Sequence, residues 1–159
     1  GFKDYVDGNA GFCGDRRVSS GTGGGTSSTD YQPYTRIENS SPSLSCNKND
    51  IYTTDEFEFG NGALTYPIGL ISADEAMFAG IPWSGSNSNN YLYTGQVYWT
   101  MSPYSFDSTY SGASVFVVYD YGLLVDWVNN SSGVRPVINL KSAIAITGEG
   151  SVDKPFKIQ

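Results

Sequence analysis

Residues 98–140 read YWTMSPYSFDSTYSGASVFVVYDYGLLVDWVNNSSGVRPVINL, and this stretch decides the fold class. The runs 114–119 (SVFVVY) and 123–128 (LLVDWV) are dominated by β-branched, aliphatic and aromatic residues, which suit a pleated, half-buried surface. Asp120-Tyr121-Gly122 and residues 129–133 (NNSSG) are turn sequences after each run. Links this short predict antiparallel pairing. Residues 134–140 (VRPVINL) predict a further strand, at an edge or bulged, because Pro136 has no N–H for a ladder. Residues 143–146 and 156–158 are expected as closing strands around a Gly-rich turn.

Upstream, residues 65–71 (TYPIGLI) form a short apolar run that predicts a buried strand. Ser72-Ala73-Asp74-Glu75 follows as a capping box, with Ser72 accepting from the Glu75 amide and the Glu75 carboxylate reaching back. Ala76, Met77, Phe78 and Ala79 supply a helix body, and Gly80 with Pro82 stops it. Residues 19–29 (SSGTGGGTSST) read as a flexible insert. One helix among many short strands gives an α+β class with antiparallel sheets.

The chain has 159 residues, enough for one core, so residues 1–159 are read as a single domain. At 39% hydrophobic and 14% aromatic, it does not have the composition of a disordered chain. Only 16% of residues are charged; Gly, Ser, Thr, Asn and Tyr fill the gap, a mixture common on extracellular adhesive domains. The net charge of −7 repels phosphate backbones and anionic membranes, which argues against nucleic acid as a partner. No run of about 18 apolar residues is present, so the chain reads as a mature or trimmed ectodomain, with membrane contact expected only through an anchor ahead of it. Histidine is absent, and with it the usual general base and the commonest metal ligand, so no catalytic residue, metal or cofactor is expected.

Cys13 and Cys46 have two readings. A disulfide suits the secreted-type composition and would be worth roughly 3–4 kcal/mol in the chain-entropy model. The other reading is a pair of buried thiols in a reducing compartment. Arg135 is the one charge in an otherwise apolar run, and a buried guanidinium must be paired or well hydrogen-bonded. A structural role is expected, with Asp15, Asp74 and Glu75 as candidate partners; a ligand-binding arginine is the other reading.

The segment YWTMSPYSF (98–106), the Tyr-, Asp-, Ser- and Asn-rich stretch after it and GVRPVINL (133–140) resemble the C-terminal half of C-type-lectin-like domains related to formylglycine-generating enzymes. GFCGDR (11–16), SLSC (43–46), LTYPIGLISADE (64–75) and YLYTGQVYWTMSP (91–103) resemble surface proteins of Gram-positive gut bacteria, several of which carry a pilin-like membrane leader. The resemblance implies a C-type-lectin-like fold with short antiparallel sheets and few helices, located outside the cell or at its surface. Variable proteins of diversity-generating retroelements place hypervariable residues on this fold between an aromatic opening and a Gly-aliphatic-Arg-Pro close. Here that stretch carries Tyr104, Ser105, Asp107, Tyr110, Tyr119, Asp120, Tyr121, Asp126, Asn129 and Asn130, although ordinary turn and strand chemistry selects the same types. Formylglycine-generating enzymes use a late cysteine pair, and no cysteine follows Cys46. Neither Gln32-Pro33-Tyr34 nor Trp127-Val128-Asn129 matches the calcium motifs of sugar-binding C-type lectins.

Strand alternation and loop tips leave Tyr104, Asp107, Tyr110, Tyr119, Tyr121, Asp126 and Trp127 as an expected exposed cluster for ligand binding. Tyr and Trp bring rigid contact area, with Ser, Gly and Asn adaptable around them. The expected function is an extracellular binding or adhesion module that takes a protein or glycan. The alternative is the structural head of a pilin-like filament subunit, and a degenerate enzyme of the formylglycine-generating type stands third.

Overall fold

In the computed structural model, which describes residues 2–55, 60–86, 88–149, 151 and 153–159, strands form where β-branched and aromatic residues are densest. The chain runs β1 (Phe12–Cys13), β2 (Val18–Ser20), β3 (Thr29–Tyr31), α1 (Gln32–Glu38), β4 (Ile51–Tyr52), α2 (Ala73–Phe78), β5 (Tyr98–Asp107), β6 (Gly112–Tyr119), β7 (Gly122–Trp127), β8 (Ile146–Thr147) and β9 (Lys157–Ile158). β2, β3, β5, β6 and β7 form one sheet in that order, while β1–β4 and β8–β9 make two small ones. All of these pairings are antiparallel, giving the α+β class expected from the sequence.

β6 is the axis of the sheet, paired on one side with β5 and on the other with β7. Phe116 and Val118 on β6 and Leu123 on β7 are buried together with Ile37 of α1, Ala73 and Ala76 of α2, Ile81 and Tyr98. Each large side chain of that set contributes about 1.5–3 kcal/mol by leaving water. The β6–β7 turn is two residues long, Asp120-Tyr121, closed by the Tyr119–Gly122 pair. Gly122 has φ of 96°, and a Cβ there would lie 2.3 Å from the Pro82 carbonyl oxygen, so only glycine fits.

α2 starts at the capping box read from the sequence. The Ser72 hydroxyl accepts from the Glu75 amide, and the Glu75 carboxylate accepts from the Ser72 amide. α1 carries Pro33 in its first turn, where the missing N–H costs nothing. Arg36 of α1 joins the two helices to the N-terminal segment. Its guanidinium donates two 2.7 Å bonds to the two oxygens of Asp74 and one 2.7 Å bond to Asp15. Arg17 donates to Asp15 as well, and the Ser43 amide donates to Asp74. The Cys13–Cys46 disulfide ties β1 to the segment that begins at Ser43.

The structure corrects several expectations. Residues 65–71 do not form a buried strand: the one bridge in the segment is Gly69–Val137, Ile71 at its end packs against the core and accepts from the Met101 amide, and Tyr66 and Ile68 are exposed. Pro67 removes a donor, and Gly69 is pressed so close to Phe12 that a Cβ would stand 2.4 Å from its ring. Residues 134–140 are likewise held by isolated bridges, Gly69–Val137 and Val6–Leu140, rather than by a ladder. The expected closing strands exist only as the short pair β8–β9. The insert at 19–29 is the connection of a hairpin whose strands, β2 and β3, extend the main sheet.

Arg135 is half-buried rather than buried, and it lies outside any strand. It donates to the Leu92 carbonyl and, at 3.4 Å, to the Tyr98 hydroxyl, with its guanidinium 5.5 Å from the Tyr98 ring centre. The acids named as its partners are committed elsewhere: Asp15 and Asp74 to Arg36, and Glu75 to the cap of α2. Arg135 therefore binds two neutral oxygens, one at the start of β5 and one in the segment before it.

Candidate functional site

The seven residues expected to form one exposed cluster lie in different places. Tyr119 ends β6 and Tyr121 lies in the β6–β7 turn, with ring centres 6.1 Å apart. Tyr110 and Trp127 meet at the opposite end of β6, 6.3 Å apart and edge to face. Gly112 and Tyr119 are seven residues apart on one strand, which separates the two ends by roughly 23 Å. Tyr104 belongs to neither pair: it packs on Phe116 at 5.4 Å and Tyr34 at 4.7 Å, beside the core. Burial, with the charges of Asp30 and Glu38 adding to it, raises the Tyr104 phenol above its ordinary pKa.

The Tyr110–Trp127 end is the better-formed site. Residues of α1 and α2 share the core with Val118 and Leu123, while in the row that pairs Ser105, Ser114 and Trp127 the indole reaches the surface. Tyr110 is 75% exposed and Trp127 40%. Together with Ser111, Gly112, Ala113, Val128, Asn129 and Asn130 they line an open cavity of about 550 Å³, inside the range of small-molecule sites. Trp127 also borders a second cleft of about 230 Å³, lined by Tyr104, Ser105, Asp107, Ser114, Val125 and Asp126.

The site is held in shape from below. The indole lies over Gly112 so closely that a Cβ there would stand 2.6 Å from Cζ3. Asp126 organises the loop after β7. Its Oδ1 accepts from the Trp127 amide at 2.9 Å and from Asn130 Nδ2 at 2.6 Å, and its Oδ2 accepts from the Ser132 hydroxyl at 3.3 Å. The Asn130 amide donates to the Trp127 carbonyl, and the Val128 amide to the Ala113 carbonyl. Ser111 adopts φ of 50° at the hairpin tip, a left-handed conformation that costs a non-glycine residue about 1–2 kcal/mol. Its hydroxyl side chain is thus kept at the cavity at a cost in stability.

Five of the seven expected residues, Tyr104, Asp107, Tyr110, Asp126 and Trp127, line the two clefts that share the indole, and Tyr119 and Tyr121 do not. Gly112, Val128 and the strained Ser111 were not singled out from the sequence. The loop bonds of Asp126 to Asn130 and Ser132 were not read from the sequence either; an acid followed by amide and hydroxyl in a turn is the kind of signal that finds them. Among the described residues, no group of three or more His, Cys, Asp or Glu is placed to hold a metal ion, and no helix is long and apolar enough to cross a membrane. In comparisons with known proteins, no family model, no curated protein and no solved structure matches this chain.

Proposed function

We propose that the chain is an extracellular ligand-binding or adhesion module of a bacterial surface protein, built on a C-type-lectin-like fold and binding through the Tyr110–Trp127 cleft. The observation that carries this reading is a half-exposed Trp seated against Gly112 and an exposed Tyr edge to face with it, lining one cavity beside the Asp126-centred loop. An aromatic pair offers large contact area with few rotatable bonds to order, and a few such residues carry most of the energy of an interface. The disulfide supports an oxidising compartment. The cavity lining is made of aromatic, small, amide and hydroxyl groups, a mixture suited to binding. The test is an array of glycans and extracellular proteins probed with the pure domain. Binding should fall when Trp127 or Tyr110 becomes Ala; equal binding by those variants rejects the site.

A second reading, the head domain of a pilin-like filament, is favoured by a different surface. Tyr66, Ile68, Val134, Ile138 and Leu140 are all exposed, and the Gly69–Val137 bridge brings Ile68 beside Ile138. Exposed apolar groups gathered in this way mark association surfaces. Concentration-dependent sedimentation that Ile138→Ser abolishes would support it; a monomer at all concentrations would reject it.

A further inference from the structure

We infer, resting on the binding reading of this cleft, that its ligand is a neutral oligosaccharide, with one sugar ring stacked on Trp127 and its hydroxyls met by Asn129, Asn130, Ser111 and Asp107. The larger cavity has no charged side chain in its lining, only aromatic, small and amide or hydroxyl groups. Both oxygens of Asp126 are turned to its own loop, so that carboxylate already has its partners. Asp107, in the smaller cleft, accepts from the Thr109 amide through Oδ1, leaving Oδ2 as an acceptor.

That inventory suits hydroxyl groups, each of which donates and accepts. The Asn129 side chain has no hydrogen bond among the described residues and can do both, while Asn130 has Nδ2 committed to Asp126 and keeps Oδ1 as an acceptor. A sugar ring presents a face of weakly positive C–H groups, complementary to the negative face of an indole. The indole is already seated against Gly112, with the plane of the Tyr110 ring at 71° to its own. An anionic glycan would meet Asp107 and a molecule of net charge −7, and no cation lines either cleft to offset this. A cationic peptide would find Asp107 and Asp126 in the smaller cleft, the second with both oxygens already taken by loop donors, and no charge at all in the larger cavity. Two clefts sharing one indole favour a chain of sugars over a single ring.

The experiment is two-dimensional NMR of the ¹⁵N-labelled domain, following the indole N–H signals of its three tryptophans. The probes are lactose, cellotriose, maltotriose, mannotriose and chitotriose at millimolar concentration, with sialyllactose as the anionic counterpart of lactose. At least one neutral probe should shift the Trp127 signal saturably and leave Trp83 and Trp99 in place, with sialyllactose weaker than lactose if lactose binds. Trp127→Ala should abolish binding, read through the side-chain amide signals of Asn129 and Asn130, which line the same cavity. Gly112→Ala, which displaces the ring without removing any contacting group, should weaken it about tenfold. Tyr121→Ala should bind as the parent does. Silence from every neutral probe, together with array binding of a protein that depends on Trp127, overturns the sugar inference and leaves the binding module standing. Silence from the probes and the array together overturns both. Stronger binding of the anionic probe also overturns the inference.

Discussion

Replacing Arg36 with Met should produce the largest loss of stability available from a single side chain outside the apolar core. The guanidinium makes three bonds of 2.7 Å to two carboxylates, and only 12% of its side-chain surface is exposed, against 2% for Asp15 and 4% for Asp74. Asp15 would retain Arg17, but Asp74 would keep only the Ser43 amide. Removing one partner of a buried pair costs about 3–5 kcal/mol because the remaining charge stays out of water. For a chain of this length that is a fall in Tm of about 6–20 °C, read by circular dichroism at neutral pH. The effect also depends on pH. Burial alone would raise the Asp15 carboxyl, but hydrogen bonds from Arg17 and Arg36 outweigh it and hold the group below its ordinary value of 3.8. Such a group stabilises the fold above its unfolded pKa and loses that contribution as pH falls through the folded value. The gap between parent and variant should therefore be full at neutral pH and narrow below about pH 4. A Tm within about 2 °C of the parent at neutral pH, or a gap that widens in acid, would refute the reasoning.

Three further outcomes follow from other parts of the molecule. Reducing the Cys13–Cys46 disulfide, which spans a sequence separation of 33, should cost about 3–4 kcal/mol in urea unfolding, and an unchanged midpoint would contradict its structural role. Gly122→Ala sets a Cβ 2.3 Å from the Pro82 carbonyl oxygen at a φ of 96°; it should cost at least about 2 kcal/mol, and a neutral result would mean the turn is built differently. Asp126→Ala removes three hydrogen bonds near the surface and should cost only about 1–2 kcal/mol. Hydrogen exchange at the Trp127 and Asn130 amides should nevertheless accelerate selectively; unchanged protection there would remove Asp126 as the organiser of the loop.

Local signals in the sequence were read correctly where one interaction dominates. The α2 cap needs only Ser72 and Glu75, three residues apart, and the β6–β7 hairpin needs only two β-rich runs around a short turn. Misreadings arose where distant contacts decide. Residues 65–71 and 134–140 are apolar enough for strands, but Pro67, Gly69 and Pro136 leave them with isolated bridges, and Tyr66, Ile68, Val134, Ile138 and Leu140 face outward. The polar, glycine-rich tract at 19–29 gave no sign that its flanks would pair and join β5 at the sheet edge. The acids Asp15 and Asp74 were recognised as partners for a buried arginine, yet the arginine is Arg36, whose short helix has no strong apolar periodicity to announce it. For the site, Trp127, Tyr110 and Asp126 were legible as aromatic and polar groups near turns. Their separation from Tyr119 and Tyr121 was not, because that depends on the length of β6 and on which part of the sheet the helices cover.

Array binding of paired variants tests the central claim most directly. Tyr110→Ala/Trp127→Ala removes the aromatic pair at one end of β6, and Tyr119→Ala/Tyr121→Ala removes the pair at the other. With both variants folded by circular dichroism, the first should lose binding to whatever the parent captures, at least about tenfold, and the second should retain it. Retained binding by the first variant with loss in the second would contradict the placement of the site. Equal binding by both would contradict an aromatic binding face on this sheet altogether.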